Sequence, residues 1–295
     1  MTIHARVVAA RQRLRDAGVS SDEADLDARL LAEHLLGWTT ERYFVDAGEA
    51  EPEGFADRYE AVVTRRAARE PYAYIVGHEE FWGLDFEVTR AVLIPRPETE
   101  LIVEIALELL DAGANGAGRA SSSGRATATV CDVGTGSGCI AVSIAHERPS
   151  AAVTAIDISA SATAVARRNA ERHGVASRIQ FRGGDLFDGV HEQYDLIVSN
   201  PPYVPEGDRA TIQAEVGRYE PGEALFAGAD GLATIRRLVE KAPAHLAPGG
   251  HLVFEFGFGQ SDAVADLISR ARGLTMVALR RDLQEIPRVA IAKRV

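Results

Sequence analysis

The stretch "TVCDVGTGSGCIA", residues 129–141, decides the fold. Residues 129–134 read as a strand, and a helix is predicted over 138–147. Between them Gly134, Gly136 and Gly138 make a GxGxG turn. Glycine lets a backbone turn tightly and approach a ligand with no Cβ in the way. The dinucleotide fingerprint GxGxxG needs glycine at 139, where Cys139 stands, so the spacing counts against an NAD site. On this motif alone, a plain strand-to-helix turn stays open as a reading.

Outward from that turn, strands and helices alternate. "AVTAID" (152–157) is a strand, followed by a helix over 159–173 that Gly174 stops. "IQFRGGD" (179–185) and "YDLIVSN" (194–200) are strands. A helix over about 231–246, the strand "HLVFEFG" (251–257) and a helix over 261–272 follow. "LTMVALRRD" (274–282) and "RVAIAKR" (288–294) close the chain as a hairpin. Such alternation specifies an α/β fold, an open and mainly parallel sheet with helices on both faces. Ligands of these sheets bind at the carboxyl ends of the strands. Gly134, Asp157, Asp185 and Asn200 all fall there.

Upstream the character differs. "SSDEADLDARLLAEHLLGW" (20–38) offers Ser20 three residues before Glu23, a capping-box spacing. Leu26, Leu30, Leu31 and Leu35 then recur at helical period, and a second helix is predicted over 53–69. Around Gly83, "YIVGHEEFWGLDFEVTRAVLIPRPETE" (74–100) alternates as a hairpin does, and "IPRP" breaks the chain before a helix over 98–111. The expected domains are therefore a helical one over 1–75, a β-hairpin linker over 76–97, and the α/β domain over 98–295. Residues 112–128, rich in Gly, Ala and Ser, are expected to be a flexible surface loop with no part in function.

Composition narrows the partners. The 295 residues are 46% apolar and 25% charged, ordinary for a globular protein, with a net charge of −11. An acidic balance counts against a nucleic-acid partner, because phosphate contact calls for a basic face. No apolar run approaches the roughly 20 residues of a membrane helix. "MTIHARVVAARQRLRDAG" (1–18) shows no signal-peptide pattern. A cytoplasmic protein with no membrane contact is the expectation. The two cysteines, Cys131 and Cys139, offer neither a disulfide framework nor zinc spacing, and the eight histidines are scattered, so no metal is expected.

Three strand ends suggest a ligand. Asp157 closes the second strand, where a carboxylate can accept hydrogen bonds from both ribose hydroxyls; capping the helix at Ser159 is the alternative. Asp185 and Leu186 close the third, where an adenine ring could be held. Together with the glycine turn they suit an adenosine ligand without a pyrophosphate, S-adenosyl-L-methionine.

The fourth strand ends in "DLIVSNPPYVPEGD" (195–208). Asn200, Pro201, Pro202 and Tyr203 follow the apolar run at once. Prolines fix φ and supply carbonyls without N–H groups, and an asparagine amide can accept as well as donate. The expected result is a stiff rim with two acceptors, the Asn200 side-chain oxygen and the Pro201 carbonyl. Two fixed acceptors match the two hydrogens of a planar NH₂ group, with Tyr203 on its flat face. Gripping both hydrogens while the lone pair faces a sulfonium methyl would favour in-line methyl transfer to a poor nucleophile, by positioning and electrostatics.

The motifs "EPYAYIVGHEEFWGLDFEVTRAVLIPRPETE", "DVGTGSGCIA", "SNPPYVP", "YEPGEALFAGADGL" and "RDLQEIPRVA" agree in order and spacing with one family. Over about residues 70–295 the chain resembles the release factor glutamine methyltransferases, the HemK or PrmC family. The resemblance implies a Rossmann-type, seven-stranded methyltransferase domain behind a small helical substrate-recognition domain. It implies N5 methylation of the glutamine in the Gly-Gly-Gln motif of bacterial class I peptide chain release factors, with S-adenosyl-L-homocysteine as the second product and a monomeric enzyme. By position, Gly134, Thr135, Gly136, Ser137, Gly138, Asp157, Asp185, Leu186 and Asn200 would hold the cofactor. Asn200 and Pro201 would hold the glutamine amide, and Pro202 and Tyr203 would shape its pocket. Leu186 is a departure, standing where an aromatic can occur in the family. Arg96 and Glu98 of "PRPETE" would brace the site; ordinary helix-start chemistry explains Pro97 and Glu98 as well. A nucleic-acid N-methyltransferase, acting on adenine N6 or rRNA guanine N2 with the same NPPY chemistry, is the alternative, and a non-enzymatic adenosine-binding scaffold is a second.

Overall fold

The computed structural model describes residues 1–115 and 127–295, and the central part of the expected 112–128 loop lies outside the described residues. The chain divides into two compact units. One comprises Met1–His78 with Gln213–Tyr219, the other Glu79–Ile212 with Glu220–Val295.

The first unit is helical: α1 (Ile3–Asp16), α2 (Ser21–Leu36), α3 (Thr40–Asp46), α4 (Phe55–Ala67) and α5 (Tyr72–Val76). Ser20 caps α2 as its spacing predicts, accepting from Glu23 N and donating to the Glu23 carboxylate. The phase of the helix differs from the leucine repeat. Ala24, Asp27, Ala28 and Leu31 face inward, while Leu26 is 46% exposed. Alanines let neighbouring helices approach closely, and buried Asp27 is tolerated because Arg66 reaches it at 2.6 Å. Val7, Leu14, Leu31, Phe55, Tyr59 and Val63 form this unit's core.

The second unit opens on a hairpin of β1 (His78–Phe81) and β2 (Leu84–Glu87), of which His78 itself belongs to the first unit. Trp82 and Gly83, both at positive φ, form its two-residue turn, the geometry that matches strand twist. A 3₁₀ turn, Pro97–Thr99, leads into α6 (Glu100–Asn115). The sheet comprises β3 (Thr129–Val133), β4 (Ala152–Asp157), β5 (Ile179–Gly183), β6 (Tyr194–Ser199), β7 (Leu246–Glu255), β8 (Leu274–Arg281) and β9 (Pro287–Arg294). Its order is β5-β4-β3-β6-β7-β9-β8, parallel except that β9 runs against β7 and β8.

Helices α7 (Cys139–Glu147) and α8 (Ala160–Arg172) connect the first parallel strands. Further helices are α9 (Ala214–Tyr219), α10 (Gly222–Leu225), α11 (Ala233–His245) and α12 (Ser261–Arg270). One core joins α6 and α7 to Val130, Leu196 and Val198; the other joins α11 and α12 to Cys131, Val133 and Ile197. Successive residues of β3 and β6 thus enter opposite cores, as strands covered on both faces require. Strand β7 starts at Leu246, five residues before the expected position, and its register with β6 slips between Tyr194 and Leu196. Pro248, Gly249 and Gly250 read as a turn in sequence, but here they form an irregular entry to a continuing strand.

Candidate active site

At the carboxyl ends of β3, β4, β5 and β6 lies a cavity of about 300 Å³. Its wall includes Gly134, Thr135, Gly136, Ser137, Asp157, Asp185, Leu186, Asn200, Pro201 and Pro202. Ten residues singled out in the sequence are thus brought to one place. Gly138 lies beneath, at the start of α7, with φ +83°. A Cβ there would stand 3.0 Å from Ala166 Cβ, so glycine lets α8 close against the turn.

Asp157 is 9% exposed and uses both oxygens. Oδ2 accepts from Gly136 N and Oδ1 from Ser159 N, each at 2.8 Å. It therefore ties the glycine turn to the start of α8, where Ser159 itself is the cap. Burial raises its pKa against those two N–H donations, and the Glu223 charge raises it further. Asp132, at the end of β3, was not singled out in the sequence. It is fully buried, takes the Thr135 hydroxyl at 2.6 Å on Oδ2, and leaves Oδ1 without a partner. Burial pushes its carboxyl up to about 7.

Asp185 meets Arg237 Nη2 at 2.6 Å, both side chains partly exposed. Leu186 holds φ +57° and is 8% exposed, so it presents a fixed apolar surface. Two of the cavity's cations are thereby committed, Arg237 to Asp185 and Arg96 to the buried Glu220. Glu220 also accepts from Ile94 N at 3.2 Å, which holds the "LIPRP" segment in place.

At the NPPY corner, Asn200 Nδ2 donates to Thr99 Oγ1 at 2.9 Å. Among the described residues, nothing donates to Asn200 Oδ1 or to the Pro201 carbonyl. Tyr203 departs from the reading that set it on the substrate face. It is not in the cavity wall; its hydroxyl turns inward to donate to Glu255 Oε1 at 2.9 Å. A buried carboxylate 52 residues further on, at the end of the next strand, outcompetes an exposed position, which no local pattern discloses.

A protein of Cereibacter sphaeroides named release factor glutamine methyltransferase is 44% identical over 285 residues, covering 97% of this chain and 96% of that one. The chain belongs to the release factor glutamine methyltransferase family. A relative of the same name from Rhodospirillum rubrum is 41% identical, covering 96% of this chain and 82% of that one. Residues 7–77 match the PrmC N-terminal domain family and residues 120–216 the methyltransferase small domain family. Among solved structures, the hMettl16 catalytic domain in complex with a 3′UTR hairpin aligns at TM-score 0.54 and 16% identity, covering 84% of each chain. At that identity the likeness speaks for the fold alone.

In this release factor glutamine methyltransferase family member, several wall residues had no signal of their own in the sequence. Ala91, Val92, Leu93 and Thr99 line the cavity, as do Pro221, Glu223 and Ala224; beside them stand Pro95 and Arg96, which the sequence did single out. Both segments lie in stretches that carry the family resemblance. The prolines of "IPRP", read as a chain break, also stiffen a wall. Among the described residues, no helix is long and apolar enough to cross a membrane.

Proposed function

We propose that the chain methylates the side-chain amide nitrogen, N5, of the glutamine in the Gly-Gly-Gln motif of bacterial class I peptide chain release factors, using S-adenosyl-L-methionine. The names of its relatives support the release factor glutamine; the observation that carries the chemistry is the pair of bare acceptors, Asn200 Oδ1 and the Pro201 carbonyl, in the cavity wall.

The cavity's residues fit this cofactor. Asp157 and Glu223 put negative charge in the wall. Sulfonium and ammonium groups complement such a surface. A Cβ built on Gly134 or Gly136 meets nothing within 4 Å, so the turn borders open space. Asp157 retains acceptor directions for ribose hydroxyls. Leu186 and the 66% exposed Ile158 offer apolar faces to an adenine ring.

When bound by Gly134, Gly136, Asp157 and Leu186, S-adenosyl-L-methionine would supply an electrophilic methyl, with S-adenosyl-L-homocysteine as the second product. Asn200 Oδ1 and the Pro201 carbonyl accept the two amide hydrogens and fix the plane of the nitrogen. An amide lone pair is delocalised, and a grip on both hydrogens favours the pyramidal nitrogen of the attack. The methylated nitrogen is strongly acidic and releases its proton to solvent water after the transfer, so the wall needs no strong base. Pro202 stiffens the corner, and Tyr203 anchors it through Glu255.

We assign release-factor recognition to the helical unit, on the match of residues 7–77 to the PrmC N-terminal domain. The test of the whole reading is mass spectrometry of release factor incubated with enzyme and cofactor. One added methyl on that glutamine side chain is expected; none on it refutes the reading. Full methylation by a chain lacking residues 1–75 would refute the assignment of the helical unit alone.

A further inference from the structure

An asparagine amide works as an acceptor in only one of its two orientations. Flipped by half a turn, Asn200 would offer NH₂ to a substrate NH₂, donor against donor. The orientation follows from the hydrogen bonds behind it. Thr99 Oγ1 donates to Glu255 Oε2 at 2.7 Å, and the Tyr203 hydroxyl fills Oε1 at 2.9 Å. Thr99 and Glu255 are each 2% exposed, so water does not compete. A hydroxyl has one hydrogen. With that hydrogen given to the carboxylate, Thr99 has only lone pairs left for Asn200, and the NH₂ end must face it.

We propose that Thr99 and Glu255 are positioning residues that set the donor–acceptor sense of Asn200, so that its oxygen faces the substrate amide. Four residues from three parts of the chain make one chain of bonds: Tyr203 to Glu255, Thr99 to Glu255, and Asn200 to Thr99. Register supplies the closeness, since Ser199 pairs with Phe254 across β6 and β7 and sets Asn200 beside Glu255 in sequence order. Glu255 thereby holds the first and last residues of NPPY through its two oxygens. The inference rests on the proposed function and adds to it the source of the corner's polarity.

The test uses the full chain, S-adenosyl-L-methionine and purified release factor, with Thr99→Val and Thr99→Ser. Valine keeps the volume and removes the hydroxyl; serine keeps the hydroxyl. Thr99→Val should lower kcat by about 10-fold or more, as loss of an oriented acceptor does. Its Kd for the cofactor and KM for release factor should stay within about 3-fold, and Thr99→Ser should keep kcat within about 2-fold. A Thr99→Val enzyme with the wild-type kcat overturns the relay, as does Thr99→Ser failing as badly as Thr99→Val, or cofactor affinity falling in step with kcat. Independently of these variants, the Asn200 side-chain NH₂ signal, identified by its loss in Asn200→Asp, should exchange slowly with solvent in the wild type; fast exchange overturns the relay. A wild type inactive on the glutamine fails the proposed function and the relay together, whereas an active wild type matched by Thr99→Val fails the relay alone.

Discussion

A Cβ on Gly231 would overlap the carbonyl oxygen of Tyr203 and stand 2.8 Å from Gln260 Nε2. The loop carrying Gly231, at φ +73°, therefore backs directly onto the NPPY corner. Gln260 completes the backing: Nε2 donates to the Tyr203 carbonyl at 3.0 Å, and Oε1 accepts from Gly257 N at 2.8 Å. Gly231→Ala should push the corner out of place. A left-handed backbone with a side chain costs about 1–3 kcal/mol before the overlap is counted. Turnover should fall by on the order of 10-fold or more, with cofactor affinity much less affected, because the glycine turn is not displaced. Thermal melts, calorimetric cofactor titration and kinetics on release factor check this; unchanged turnover would show that the corner tolerates the shift.

Asp132 makes stability depend on pH. Its carboxyl, at about 7 in the folded chain, titrates near 3.9 when unfolded. The neutral acid is the form the buried site accepts. Its contribution is fully present below about pH 4 and is lost as pH rises through 7. Asp132→Asn should remove this loss, so the difference in Tm between variant and wild type, both without cofactor, should move in favour of the variant from pH 4 to pH 8. Parallel melting curves across that range contradict the assignment.

Arg66 holds the helical unit together through charge. It is 4% exposed, bound to Asp27 at 2.6 Å and Glu215 at 3.0 Å. Arg66→Ala strands Asp27, and removing one partner of a buried pair costs about 3–5 kcal/mol. Burial already raises the Asp27 pKa against the pull of Arg66. Without Arg66 the carboxyl should protonate more readily, so the loss should shrink at acid pH. Melting curves near pH 5 and pH 8 measure it; an equal deficit at both contradicts the account.

What could be read from the sequence was local. The turn at 134–138 and the corner at 200–202 lie at strand ends because apolar runs, glycines and prolines mark strand ends without help from the rest of the chain. Asp157 was legible for the same reason, although its hold on Gly136 N was not. Thr99 and Glu255 were invisible because their partners lie 101 and 52 residues away along the chain, in Asn200 and Tyr203. Only sheet order brings such groups together. Asp132 has the same history: a carboxylate inside a strand looks like an interruption until the ligand side of the sheet is known. Short helices α9 and α10 carry no apolar period, and Glu215 on α9 belongs with Arg66 and Arg69 by charge alone.

The central claim is that the oxygen of Asn200 grips the amide being methylated. The direct measurement is the rate at which wild type and Asn200→Ala add a methyl to the Gly-Gly-Gln glutamine of release factor, read by mass spectrometry, alongside cofactor affinity by calorimetry. The account predicts turnover lower by on the order of 10²-fold in Asn200→Ala with affinity for S-adenosyl-L-methionine close to that of the wild type. An Asn200→Ala enzyme that methylates the glutamine at the wild-type rate contradicts it.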